Sequence, residues 1–204
     1  MNRRSFLDKF TVFGAASVVS AQSDCPPAPT LPCHTAKRGP RDGYFPDAVV
    51  ITHEGERARF YTDLVRGRVV IFNFMYTNCM NRCPMYTSNL LKVQRLLAGR
   101  VGRDIFMYSL TLDPARDTPK VLREYAEEHG VGPGWRFLTG KPADLELLRQ
   151  RLGFTQPDPE LDRDRDSHIG LIRYGNEALD RWAACPALAN PTEIVKYLSW
   201  MFPA

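Results

Sequence analysis

Val69-Val70-Ile71-Phe72-Asn73-Phe74 is a near-continuous apolar run, rich in β-branched and aromatic side chains. A strand with one wet face alternates apolar and polar residues; this run does not, so it reads as a strand buried on both faces. Ile105 to Leu112, Trp135 to Leu138 and His168 to Arg173 read as further strands. Ala48 to Thr52 and Ala58 to Tyr61, separated by His53-Glu54-Gly55-Glu56, read as a short hairpin.

Helical signals fall between the strands. Leu90, Val93 and Leu97 form an apolar face after Pro84, with Gly99 as the stop. Thr118 caps a helix with Pro119 in its first position, ending at Gly130. Pro142 opens another, with Leu145, Leu148 and Leu152 inward and Gly153 past its end. Asn190-Pro191-Thr192-Glu193 has the cap, proline and acid of a last helix start, and Ile194, Leu198 and Met201 supply its face. Residues 157–166 read as a charged, solvated loop. The alternation predicts an α/β fold: a central, mostly parallel or mixed sheet flanked by helices, with an N-terminal β-hairpin.

The chain has 204 residues, 44% of them hydrophobic, enough for one well-packed domain. Its N-terminus reads as an address rather than as fold. Asn2-Arg3-Arg4-Ser5-Phe6-Leu7-Asp8-Lys9 looks like the twin-arginine export motif, an uncharged stretch runs from Phe10 to Ala21, and Val19-Ser20-Ala21 is a small-residue cleavage site. The apolar stretch falls short of the roughly 20 residues a membrane span needs. We expect a signal peptide over 1–21, a Pro-rich extended leader over 22–47 and the packed domain over 48–204, in a periplasmic or other extracytoplasmic setting. Removing the signal lowers the net charge from +4 to about +2, which argues against nucleic acid as a partner. No stable membrane span is expected in the mature chain.

The chemistry concentrates where the buried strand ends, at Phe74-Met75-Tyr76-Thr77-Asn78-Cys79-Met80-Asn81-Arg82-Cys83-Pro84. Positions i and i+4 of a helical turn share a face, so Cys79 and Cys83 point the same way. A helix N-terminus favours thiolate over thiol. Two such thiolates can close as a disulfide or clamp a soft metal such as copper. A structural disulfide or two unrelated buried thiols would read the same from this spacing alone. Met75, Met80 and Met85 are soft donors, though methionines beside a strand are more often core filler.

These segments resemble the SCO/SenC family of copper proteins, thioredoxin-like in fold, with a CxxxCP motif at this strand-helix junction. Leu110 to Pro119 looks like the family's S-V-D-P-x-R-D-T-P segment, Gly134 to Gly140 like its G-W-x-F-L-T-G run, and Asp166 to Gly175 like its histidine strand and following turn. The resemblance implies Cys79, Cys83 and His168 as metal ligands for copper(I) or copper(II). It implies a metallochaperone whose partner is a copper-enzyme client such as a cytochrome c oxidase subunit, kept reduced by a thiol reductant protein. The same pair would serve a thiol-disulfide reductase, with Cys79 and Cys83 as its catalytic thiols, or a copper or redox sensor. In place of the acid that family members commonly carry inside the CxxxC stand Asn81 and Arg82. Cys25, Cys33, His34 and Cys185 are extras: a disulfide between two of these cysteines, or a second copper relay through Cys25, Cys33 and His34. His53 and His129 read as surface residues in a turn and at a helix end.

Overall fold

A computed structural model describes residues 39–80, 82–164 and 169–202. The twin-arginine signal, Cys25, Cys33, His34, Asn81 and His168 lie outside the described residues.

Seven strands form one sheet. In chain order these are β1 (Val49–Thr52), β2 (Arg57–Arg59), β3 (Val69–Met75), β4 (Ile105–Thr111), β5 (Trp135–Gly140), β6 (Leu171–Asn176) and β7 (Arg181–Pro186). Their spatial order is β2-β1-β5-β4-β3-β6-β7. The central trio β5-β4-β3 is parallel, and β1, β2, β6 and β7 flank it antiparallel, so the sheet is mixed. Parallel neighbours need crossovers, and α1 (Arg82–Leu96) and α2 (Pro119–Glu128) supply them; α3 (Pro142–Arg151), a short α4 (Pro159–Arg163) and α5 (Pro191–Ser199) follow.

Alternation along β3 builds two cores. Val69, Ile71 and Met75 face α1, α2 and α5, while Val70, Phe72 and Phe74 face α3 and a π-helical turn over Phe60–Val65. Every residue of β3 is buried, as the apolar run predicts.

The helix signals act locally. Thr118 accepts the Val121 N–H at 3.4 Å and Asn190 accepts the Thr192 N–H at 2.9 Å, each ahead of a proline. Asp158 does the same for Glu160, which is why the charged stretch expected as loop closes one helical turn, α4. β7 has no strand signal that the sequence reading caught: it is an edge strand, only Cys185 on it is buried, and β6 supplies its pairing. β6 begins at Leu171 rather than at residue 168.

The last residues of the Pro-rich stretch pack onto the domain. Phe45 is buried against Tyr61 and Trp182, Asp47 accepts from the Thr62 N–H and hydroxyl, and the Arg41 N–H bonds Glu177. Glu177 is itself buried and also accepts from the Tyr61 hydroxyl (2.6 Å) and the Gly67 N–H (2.7 Å). Among the described residues no helix is long and apolar enough to cross a membrane.

Candidate metal centre

The two cysteines sit where β3 hands over to α1, at the carboxyl end of a central parallel strand, where open α/β sheets place ligand crevices. Cys79 precedes the helix and Cys83 is its second residue. The Cys83 N–H donates to Cys79 Sγ at 3.3 Å, so sulfur serves as the acceptor for one of the helix's first N–H groups. That bond seats the Cys79 sulfur on the Cys83 backbone; because Cys79 lies ahead of α1, a bond at the helix start rather than a shared i, i+4 helical face brings the two residues together. Cys79 is 6% exposed and Cys83 0%.

Burial acts on the proton of Cys83. The positive end of α1 favours thiolate, but desolvation pushes the Cys83 thiol well above the ordinary cysteine range. Charge on Cys79 and on Asp117 adds to that push, and a hydrogen bond with the Tyr76 backbone opposes it. The sequence-based expectation of a helix-favoured thiolate is thus reversed at Cys83 in the metal-free protein.

Asp117 was not singled out from the sequence, although it lies inside the Asp113-to-Pro119 motif. It is fully buried and joins two loops. It accepts from the Thr77 N–H (3.2 Å) and hydroxyl (2.5 Å) on the cysteine turn and from the Thr111 hydroxyl at the end of β4. Tyr86 and Tyr125 complete the wall around the thiols; both feel the cysteine charge, and the Tyr125 hydroxyl shares a hydrogen bond with Thr87 at 2.9 Å.

The methionines divide. Met75 is core filler, fully buried, whereas among the described residues Met80, on the turn, is 88% exposed and Met85, in the first turn of α1, is half exposed. Neither histidine discounted from the sequence reaches the cysteines. His53 is half-buried, accepts the Phe137 N–H at Nδ1 (3.1 Å) and is held below its ordinary pKa by burial, so it pins the hairpin to β5 rather than lying on the surface. His129 stacks on Tyr125 past the end of α2. Cys185 is a buried thiol on β7. Among the described residues no three of His, Cys, Asp and Glu gather as a metal site. Two adjacent sulfurs in a dry pocket suit a soft ion such as copper(I).

A family model described as SCO1/SenC matches residues 49–172. A Stutzerimonas stutzeri protein named for copper binding is 29% identical over 135 residues, 65% of this chain and 64% of that protein. The SCO1 protein homolog of Bacillus subtilis is 32% identical over 77 residues, 37% of this chain and 39% of its own. The chain therefore spans less than two thirds of each relative. Copper-bound ScoI of Bradyrhizobium japonicum superposes with a TM-score of 0.60 at 20% identity, covering 76% of this chain and 97% of that one. BsSco, described by a disulfide switch and as a member of the Sco family of cytochrome c oxidase assembly proteins, superposes with a TM-score of 0.61 at 21% identity, over 76% and 92%.

Proposed function

The chain belongs to the SCO1/SenC family, and on that premise we propose that it is an exported copper chaperone. Cys79, Cys83 and His168 hold the ion, and a client surface takes it by ligand exchange; a respiratory copper enzyme such as cytochrome c oxidase is the client. The observation that carries this reading is the pair of buried sulfurs brought together by the Cys83 N–H at the end of β3. Copper, the cargo, displaces the thiol protons, and His168 adds an imidazole that suits both of its oxidation states. Arg3 and Arg4 carry the export reading, by the twin-arginine route to the periplasm.

The rival reading, a thiol-disulfide reductase, draws support from the disulfide switch of BsSco. Burial raises the pKa of Cys83, which slows attack by that thiol because exchange runs through thiolate, whereas a soft metal ion displaces the proton directly. A thiol reductant protein remains a partner in either case, because the pair must be reduced before it takes copper.

Anaerobic copper(I) titration of the mature chain, with thiols counted in parallel, tests the reading. One copper per chain is expected, with Cys79→Ser or Cys83→Ser weakening binding at least about 100-fold. Unchanged copper(I) affinity in Cys79→Ser, or unchanged copper(II) affinity in His168→Ala, sinks the proposal. Client disulfide reduction that survives His168→Ala, in a protein that takes no copper, selects the reductase.

A further inference from the structure

His168 stands just ahead of β6, and the residues that follow it are gripped by α1. Two peptide links, at most about 7 Å of chain, separate it from Gly170. Gly170 lies against the phenol of Tyr86: a Cβ added there would come within 2.1 Å of the Tyr86 hydroxyl oxygen and 2.6 Å of its Cζ. The backbone of Gly170 does not require glycine, since its φ lies outside the left-handed region; the Tyr86 ring does. Tyr86 is buried and its hydroxyl is hydrogen-bonded to Arg82, so it does not swing aside cheaply.

The grip continues along the same helix. The Gly170 carbonyl accepts the Ala187 N–H at 2.8 Å. Asn89, three residues beyond Tyr86, donates its Nδ2 to the Ala187 carbonyl at 2.8 Å and to the Ala189 carbonyl at 2.9 Å. Cys83, Tyr86 and Asn89 follow one another at i, i+3 spacing and form one row on α1. That row starts at a sulfur, passes through the contact with Gly170 and ends at the bonds that hold the chain after β7.

We propose that Tyr86 and Asn89 are positioning residues: a clamp on α1 that fixes residues 169–171, the chain directly following His168 in sequence, against the helix that carries Cys83. The inference rests on the copper reading above for what the clamp serves. Its physical content is independent of metal, because the clamp orders residues 169–171 in the empty protein. Helix α1 thus carries Cys83 directly and also holds the chain that leads into β6.

The test uses the mature chain with Tyr86→Ala, Tyr86→Phe, Gly170→Ala, Asn89→Ala and the Gly170→Ala/Tyr86→Ala pair. Two readouts are taken: amide hydrogen exchange at Ile169, Gly170 and Leu171 without metal, and the copper(II) absorption band that depends on His168. Tyr86→Ala and Gly170→Ala are each expected to speed that exchange at least about tenfold. Each is also expected to weaken copper(II) about 10- to 100-fold, with copper(I) held by the two sulfurs changing far less. Tyr86→Phe keeps the ring against Gly170 but loses the hydroxyl's bond to Arg82, and should fall between the wild type and Tyr86→Ala. The double variant should be no worse than Tyr86→Ala alone, because the clash needs both groups. Wild-type exchange and an unaltered copper(II) band in Tyr86→Ala overturn the clamp; faster exchange with an unaltered band overturns its positioning role. If the wild type takes no copper through His168, the copper reading fails and exchange alone decides the clamp. Should Tyr86→Ala not fold, Asn89→Ala carries the same two readouts.

Discussion

Cys83 and Cys185 are both thiols that burial holds in the protonated form, and they differ in what surrounds them. Cys83 has a second sulfur, a carboxylate and a helix terminus at hand, so its proton can be exchanged for a soft cation. Cys185, on β7 opposite Ile172, has only apolar burial, which pushes its pKa up to about 11 from the usual 9. Its sign is therefore fixed. The folded thiol holds its proton more tightly than the unfolded one, so its contribution is complete below pH 9 and is lost as pH rises toward 11. We expect the metal-free protein to lose roughly 2 kcal/mol more over that interval than a Cys185→Ala variant does, read by urea denaturation at each pH. Equal slopes would show that Cys185 titrates alike in both states. The spacing of Cys79 and Cys83 was legible in the sequence; that Cys79 lies ahead of the helix and meets Cys83 through its backbone N–H was not. The protonation of Cys83 was not, because desolvation is set by Met75, Tyr76, Tyr86 and Tyr125, which pack in the same core.

At the level of elements, the most legible features were those whose cause lies within a few residues. The caps at Thr118 and Asn190, the prolines behind them and the apolar row of α5 are local, and they formed as the sequence predicts. Asn190 also accepts the Thr192 hydroxyl, at 2.5 Å. Asn190→Ala should cost about 1 kcal/mol and lower the melting temperature by about 2–4 °C. Because α5 packs beside α1, a loss well above 2 kcal/mol would mean that its start also braces the cysteine helix, and thermal denaturation separates the two outcomes. β7 escaped the sequence reading for the complementary reason. Arg181-Trp182-Ala183-Ala184-Cys185-Pro186 has little apolar alternation and becomes a strand through its ladder with β6.

Across the whole molecule, the packed unit extends back to residues 39–47. Phe45 fills the core on the α3 side of the sheet, and Glu177, from the far end of the chain, bonds Arg41, Tyr61 and Gly67 at once. Phe45→Ala should therefore cost about 3 kcal/mol or more, as for a buried core aromatic, with an unchanged denaturant slope. A loss below about 1 kcal/mol would make this segment a surface appendage.

By itself the sequence determined the doubly buried strand, the two cysteines at its end and the capped helices around them, because each follows from periodicity or from bonds spanning three or four residues. The four motifs, taken together, also led to the family. Only the tertiary structure decided that Asp117 ties the cysteine turn to β4, that Tyr86 stands against Gly170, and that burial rather than the helix terminus governs the proton on Cys83. The first two join residues 40 and 84 positions apart, Thr77 with Asp117 and Tyr86 with Gly170, and the third draws on Tyr125, 42 positions from Cys83, as well as on near neighbours. Desolvation and contact are properties of what the folded chain brings together, and no local pattern encodes them.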